Sequence, residues 1–351
     1  MAFDFAIFGS SPLAVLLGGL LATTHGKQVC LIGEPWSPWS LPRRIDIAAL
    51  VATRPDTWAM LKAGSAETTK LINGIGKGLV DHVDPLLIAE TPQSLEAIAH
   101  MRAVAVGYGY AMERVADRSL AESGAAWRLR DVPSLVPGKV EPSLAQWFDA
   151  SGARRWRPAD GDIAIRRDGT VKIRSFGREF DAAQAILADD AALAGRLDDA
   201  ARERVLRLVP ARTVLTEPAK PIAAPWVHYL DRRVTLSQRG KSGITAIATG
   251  ADESSARIGA ALAAQGRLKR AGDVTHNRIE TIDGAPLVAV ARGSKTHIVA
   301  GFGDAGAFFA PALARWYAGK ASEAEARFFA AHDIGRGNAR QLVADYSAEP
   351  A

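Results

Sequence analysis

Asp4-Phe5-Ala6-Ile7-Phe8-Gly9-Ser10-Ser11-Pro12-Leu13-Ala14, near the start of a 351-residue chain, reads as a strand, a tight turn and the opening of a helix. The helix follows from periodicity. Leu13, Leu16, Leu17, Leu20 and Leu21 recur at helical spacing, and Pro12 stands in the first turn, where its missing N–H removes no bond. The helix runs to about His25, and Gln28 to Ile32 reads as a second strand, completing a βαβ unit. A dinucleotide turn of this kind needs one glycine for the turn and a second for close approach of a pyrophosphate. It also needs a small third residue for helix–strand packing. Gly9 and Ala14 suit the first and third roles, while Ser11 takes the second and brings a Cβ. Free N–H groups and the helix macrodipole would hold the pyrophosphate. Glu34 follows Ala14 by 20 residues, the spacing at which an acid meets ribose hydroxyls. Two readings stand: a nucleotide site, or a structural βαβ turn that has lost its ligand.

A second turn, Gly301-Phe302-Gly303-Asp304-Ala305-Gly306, also spells G-x-G-x-x-G, between a strand pattern at Thr296 to Ala300 and a helix from about Ala307 to Tyr317. Only the polar stretch Gly319 to Ala326 and a short tail come after it, with no further strand and acid, so it reads as a helix start packed on the same ligand. Helical patterns also occupy Thr57 to Ile72 and Pro92 to Met101, and Trp127 to Pro142 reads as loop, punctuated by Pro133, Pro137 and Pro142. Alternation at Asp162 to Ile165 and Thr170 to Ile173 around Arg167-Asp168-Gly169 predicts a hairpin, and Trp226 to Ala248 is strand-rich. One domain is therefore expected to be split in sequence around another.

Composition sets the outer bounds. The length is a prior of about two domains, and 48% hydrophobic residues exclude wholesale disorder. The net charge of +5, from 43 basic against 38 acidic residues, is dispersed and lacks the basic stripe of a nucleic-acid surface. No apolar run reaches the ~18 residues of a membrane helix. The single Cys30, inside Val29-Cys30-Leu31-Ile32, excludes an intramolecular disulfide and fits a cytoplasmic location. Seven histidines show no metal-ligand spacing, so no metal site is expected.

Further stretches carry a family likeness: Pro133-Ser134-Leu135-Val136-Pro137, Tyr229-Leu230-Asp231-Arg232-Arg233 and, most specifically, Arg278-Ile279-Glu280-Thr281-Ile282-Asp283-Gly284-Ala285-Pro286, followed by the turn from Gly301 to Pro311. With the βαβ unit, these make the chain resemble the FAD-dependent oxidoreductases of the D-amino-acid oxidase, glycine oxidase and sarcosine oxidase group. The resemblance implies an α/β fold in which a Rossmann-like FAD-binding domain is discontinuous (1–80, 150–195 and 275–351). An antiparallel-sheet, α+β substrate or cap domain would fill 81–149 and 196–274. It implies FAD held at Gly9, Ser11, Ala14, Glu34, Gly301, Gly303, Asp304, Ala305 and Gly306. Arg278 matches the arginine that pairs with a substrate carboxylate, and Tyr229 matches a tyrosine that faces substrate. The readings against these are an Arg278 ion pair with Glu280 or Asp283, and core packing for Tyr229.

The implied activity is oxidation of an amine or amino acid, with hydride passing from the substrate α-carbon to flavin N5. The implied partner is a small molecule carrying a carboxylate, and like or unlike subunits are compatible with the resemblance. The sequence departs from the family at Ser11, at Trp36-Ser37-Pro38-Trp39-Ser40 and Arg43-Arg44, at Ala188-Asp189-Asp190, and at Asp231 in place of a common proline. These departures keep open an alternative, a flavin-binding or flavin-free non-catalytic subunit supporting a partner enzyme.

Overall fold

Strand Ala2–Phe8 is buried without interruption from Phe5 to Phe8, which an inner strand of a parallel sheet requires because both faces are covered. From Phe5 to Phe8 its side chains alternate between two cores. Phe5 and Ile7 join helix Pro12–Thr23 and its neighbours, whereas Phe3, Ala6 and Phe8 join Val171, Ile173, Leu193 and Ile298 on the opposite face. A computed structural model describes residues 2–33, 45, 52–117, 124–175, 177–197, 205–250 and 253–334.

The first sheet runs in the order Leu287–Val290, His297–Ala300, Arg178–Leu187, Ala2–Phe8, Val29–Ile32, Arg154–Trp156. Neighbours along this path are parallel except at the edge strand Leu287–Val290, and two further strands of the sheet join it antiparallel. The expected hairpin is present: Asp162–Ile165 pairs antiparallel with Val171–Ser175, which continues onto Arg178–Leu187. Helices Pro12–Thr23, Pro55–Ile75, Pro137–Ala150 and Ala310–Tyr317 pack together on one face. Because Phe8 lies level with Ile32 and Leu187, and Ile186 with His297, the chain leaves the sheet at Gly9, Gly33, Ala188 and Gly301 along a single edge. Ligands of open α/β sheets bind at this carboxyl edge.

The second sheet has eight strands, in the order Arg270–Thr281, Leu206–Pro218, Gly243–Thr249, Val234–Ser237, Trp226–Tyr229, Leu86–Ala89, Ala125–Leu129, Met112–Val115. It is antiparallel save where Trp226–Tyr229 runs parallel to Leu86–Ala89. Strand Arg270–Thr281 continues through residue 275 and carries Arg278 on this second sheet.

Two stretches differ from the sequence reading. Residues Trp127 to Pro142 are not a loop: they complete strand Ala125–Leu129, form Val132–Leu135 and begin helix Pro137–Ala150. Pro137 opens that helix, and Pro142 is carried inside it because Val140, Leu144 and Phe148 are buried. The burial offsets the roughly 3 kcal/mol that an interior proline costs. Near the other end, Gly303–Phe309 is a 3₁₀ helix, α-helix begins only at Ala310, and a further helix spans Glu323–Ala331. Ser322 and Glu325 close its first turn as a reciprocal capping box. Among the described residues no helix is long and apolar enough to cross a membrane. Cys30 is buried, which pushes its thiol up to about 12.

Candidate functional site

The turn after Ala2–Phe8 is built by close approach. Gly9 has φ +149°, and a Cβ there would lie 2.8 Å from Asp189 Oδ2 and 3.0 Å from the Ala14 Cβ. Gly33, at the end of the second strand, backs onto the same turn, and a Cβ there would lie 2.4 Å from the Gly9 carbonyl oxygen. Ser11 caps helix Pro12–Thr23, its Oγ accepting from the Ala14 amide at 3.3 Å and donating to the Ala188 carbonyl at 3.4 Å. The amides of Ser10 and Ser11 both donate to Asp189 Oδ2, at 2.6 and 3.3 Å. Asp189 Oδ1 accepts from the Ala192 amide at 2.9 Å and so caps helix Asp190–Arg196 as well.

The late glycine turn adjoins this one. Gly301 and Gly303 have φ of +73° and +50°, and a Cβ on Gly301 would lie 2.8 Å from the Ala285 carbonyl oxygen. Gly306 rests on Leu13 in the first turn of helix Pro12–Thr23, where a Cβ would lie 3.1 Å from Leu13 Cδ2. Ala305 and Gly306 are buried with Phe308 and Phe309. Asp304 faces outward to Arg278, with Oδ1 at 3.5 Å from Nη2. The Asp304 carboxylate raises the guanidinium pKa above its ordinary value, burial opposes this, and Asp190 and Glu280 add to the rise. The Arg278 side chain keeps 26% of its surface exposed. Of the two carboxylates weighed as its partners, Glu280 is gripped by Arg207 at 3.0 Å and Arg233 at 2.7 Å, and Asp283 accepts from the Ala285 amide at 3.2 Å.

Tyr229 lies in the apolar cluster of the second sheet, in register with Val234 and Ile88, and the Arg232 guanidinium stands 5.3 Å over its ring. Burial pushes its phenol pKa up. Beside it, Asp231 accepts from the Glu90 amide at 2.6 Å and from the hydroxyls of Thr91 and Ser94 at 2.5 and 2.8 Å, fastening the start of helix Pro92–Gly107.

No family model matches the chain, and no curated protein matches its sequence. Solved structures do match. Glycine oxidase from Geobacillus kaustophilus superposes with a TM-score of 0.72 at 15% identity, over 96% of this chain and 99% of that one. L-proline dehydrogenase from P. horikoshii gives 0.73 at 14%, over 95% and 97%. Iminodiacetate oxidase from Chelativorans sp. BNC1 gives 0.69 at 16%, over 91% and 96%. The chain has the glycine oxidase fold.

On the glycine oxidase fold, Gly9, Ser11, Ala14, Gly301, Gly303, Asp304, Ala305, Gly306 and Arg278 come to one edge of the first sheet, Tyr229 sits in the second sheet, and Glu34 lies outside the described residues, as do Trp36, Trp39, Arg43 and Arg44. The edge supplies what an anion needs. Two backbone amides at the start of a twelve-residue helix converge on one point, and a carboxylate already stands there as the stand-in. The donor set therefore fits the diphosphate of FAD, provided that the Asp189 side chain turns away. Gly33 carries no signal in the sequence, because its role shows only once both strands are in register. Asp189-Asp190 stands out in the sequence as a departure from the family, but nothing in the sequence shows that one carboxylate reaches a turn 178 residues away.

Proposed function

We propose that the chain is an oxidoreductase acting on an amine or amino acid, with FAD laid along the carboxyl edge of the first sheet. The observation that carries this reading is the convergence of the two glycine turns at that edge, with Arg278 facing Asp304 of the later one, on a fold shared over almost its whole length with glycine oxidase. Flavin supplies the chemistry when bound, accepting a hydride from the substrate α-carbon at N5. The chain's own residues bind and orient. Arg278 offers a substrate carboxylate two parallel N–H groups, a fork that fixes both position and rotation. Asp304 holds the guanidinium in place until the substrate replaces it, and buried Phe302, Phe308 and Phe309 keep water from behind the late turn. The substrate class follows from Arg278: a small amine carrying a carboxylate.

The test is equilibrium titration of the purified full chain with FAD, followed by the flavin absorption bands. Bands that shift on binding and persist through gel filtration support the reading; free flavin eluting entirely apart from the protein opposes it. A second reading, favoured by the Asp189 carboxylate on the turn, is a flavin-free subunit that supports a partner enzyme. It predicts a colourless protein that takes up no FAD.

A further inference from the structure

We propose that Asp189 is a resident occupant of the turn's anion seat, so that a dinucleotide enters only by displacing it. The inference rests on reading the turn at Gly9 to Ala14 as a nucleotide seat. Asp189 Oδ2 takes the amides of Ser10 and Ser11, and it lies where a Cβ on Gly9 would strike it at 2.8 Å. An amide N–H given to this carboxylate is not available to a phosphate oxygen. The carboxylate also repels a diphosphate, which carries more than one negative charge. The carboxylate and the diphosphate therefore exclude each other.

The geometry is that of a latch. Asp189 has φ −156° and ψ 172°, ordinary extended backbone, so its side chain can turn out without strain in the chain. Turning out gives up the two turn amides and the cap on helix Asp190–Arg196, in which Oδ1 accepts from the Ala192 amide. The latch thus couples the nucleotide seat to the helix that follows strand Arg178–Leu187.

The experiment measures binding to the folded full chain by isothermal titration and melting temperature, with two probes. ADP carries the diphosphate without the flavin, and FAD carries both. Asp189→Ala removes the occupant; Asp189→Asn keeps an acceptor for the Ala192 cap but loses the charge, and serves if the alanine variant does not fold. The expected result is at least tenfold tighter ADP binding in either variant than in the wild type, with ADP raising the melting temperature of the variant more. Unchanged or weaker ADP binding in the folded variants overturns the latch. FAD separates this from the functional reading. Variants that gain ADP binding but refuse FAD keep the latch and reject the flavin enzyme. A wild type that binds FAD as tightly as the variants do keeps the enzyme and rejects the latch.

Discussion

At Arg278 the end strand of the second sheet reaches the glycine turn of the first, and its partner there is Asp304. If this guanidinium receives a substrate carboxylate, Arg278→Ala should leave flavin bound while lowering kcat/KM for a carboxylated amine by about 2–4 kcal/mol of transition-state binding, and should change a neutral amine little. Steady-state kinetics on the two substrates decide it; equal losses on both would make the arginine a structural residue. Asp231 is a different kind of carboxylate. Burial works to raise its pKa, but hydrogen bonds from Thr91, the Glu90 amide and Ser94 outweigh it and hold the carboxyl below its ordinary value. A carboxyl depressed on folding adds stability above its unfolded pKa of about 3.9 and loses it as pH falls through the lower folded value. Asp231→Asn should therefore cost about 1–3 kcal/mol near neutrality, with the gap to wild type closing below about pH 4 in denaturant unfolding at a series of pH values.

Between elements, backbone contact does the positioning. Helix Pro55–Ile75 meets the late turn at Gly64, where a Cβ would lie 1.9 Å from the Phe308 carbonyl oxygen. Gly64→Ala must push the helix away from Gly303–Phe309 and should lower stability by about 1–3 kcal/mol, measured by chemical unfolding. Gly74, on the same helix with open space around its Cβ position, is the control. Gly74→Ala should be neutral or stabilising by up to about 1 kcal/mol. Arg315 ties the last two helices to this one, with Nη1 at 2.6 Å from Glu67 and Nη2 at 2.5 Å from Glu325. Local signals predict such elements unevenly. The capping box Ser322 to Glu325 was there to be read in the sequence, and the leucine spacing after Pro12 did predict a helix. Helix Pro137–Ala150 hid behind Pro142, because only tertiary burial of Val140, Leu144 and Phe148 overrides an interior proline.

Across the whole molecule, periodicity and turn chemistry made the parallel βαβ start and the antiparallel middle legible, since both are local patterns. The site was less so. That Arg278 belongs to the second sheet depends on its pairing opposite Val209, and the occupant of the nucleotide turn comes from a strand end far along the chain. Long-range register decides both, and no window of sequence contains it. The two sheets bring the proposed cofactor edge and the proposed substrate arginine together where Gly301 approaches Thr281 and Asp304 meets Arg278. The most direct measurement is the flavin spectrum of the FAD-reconstituted protein, mixed without oxygen with a series of carboxylated and neutral amines. At least one carboxylated amine is expected to bleach the flavin bands, and Arg278→Ala to slow that bleaching. Flavin that stays oxidised with every amine would contradict the proposed activity.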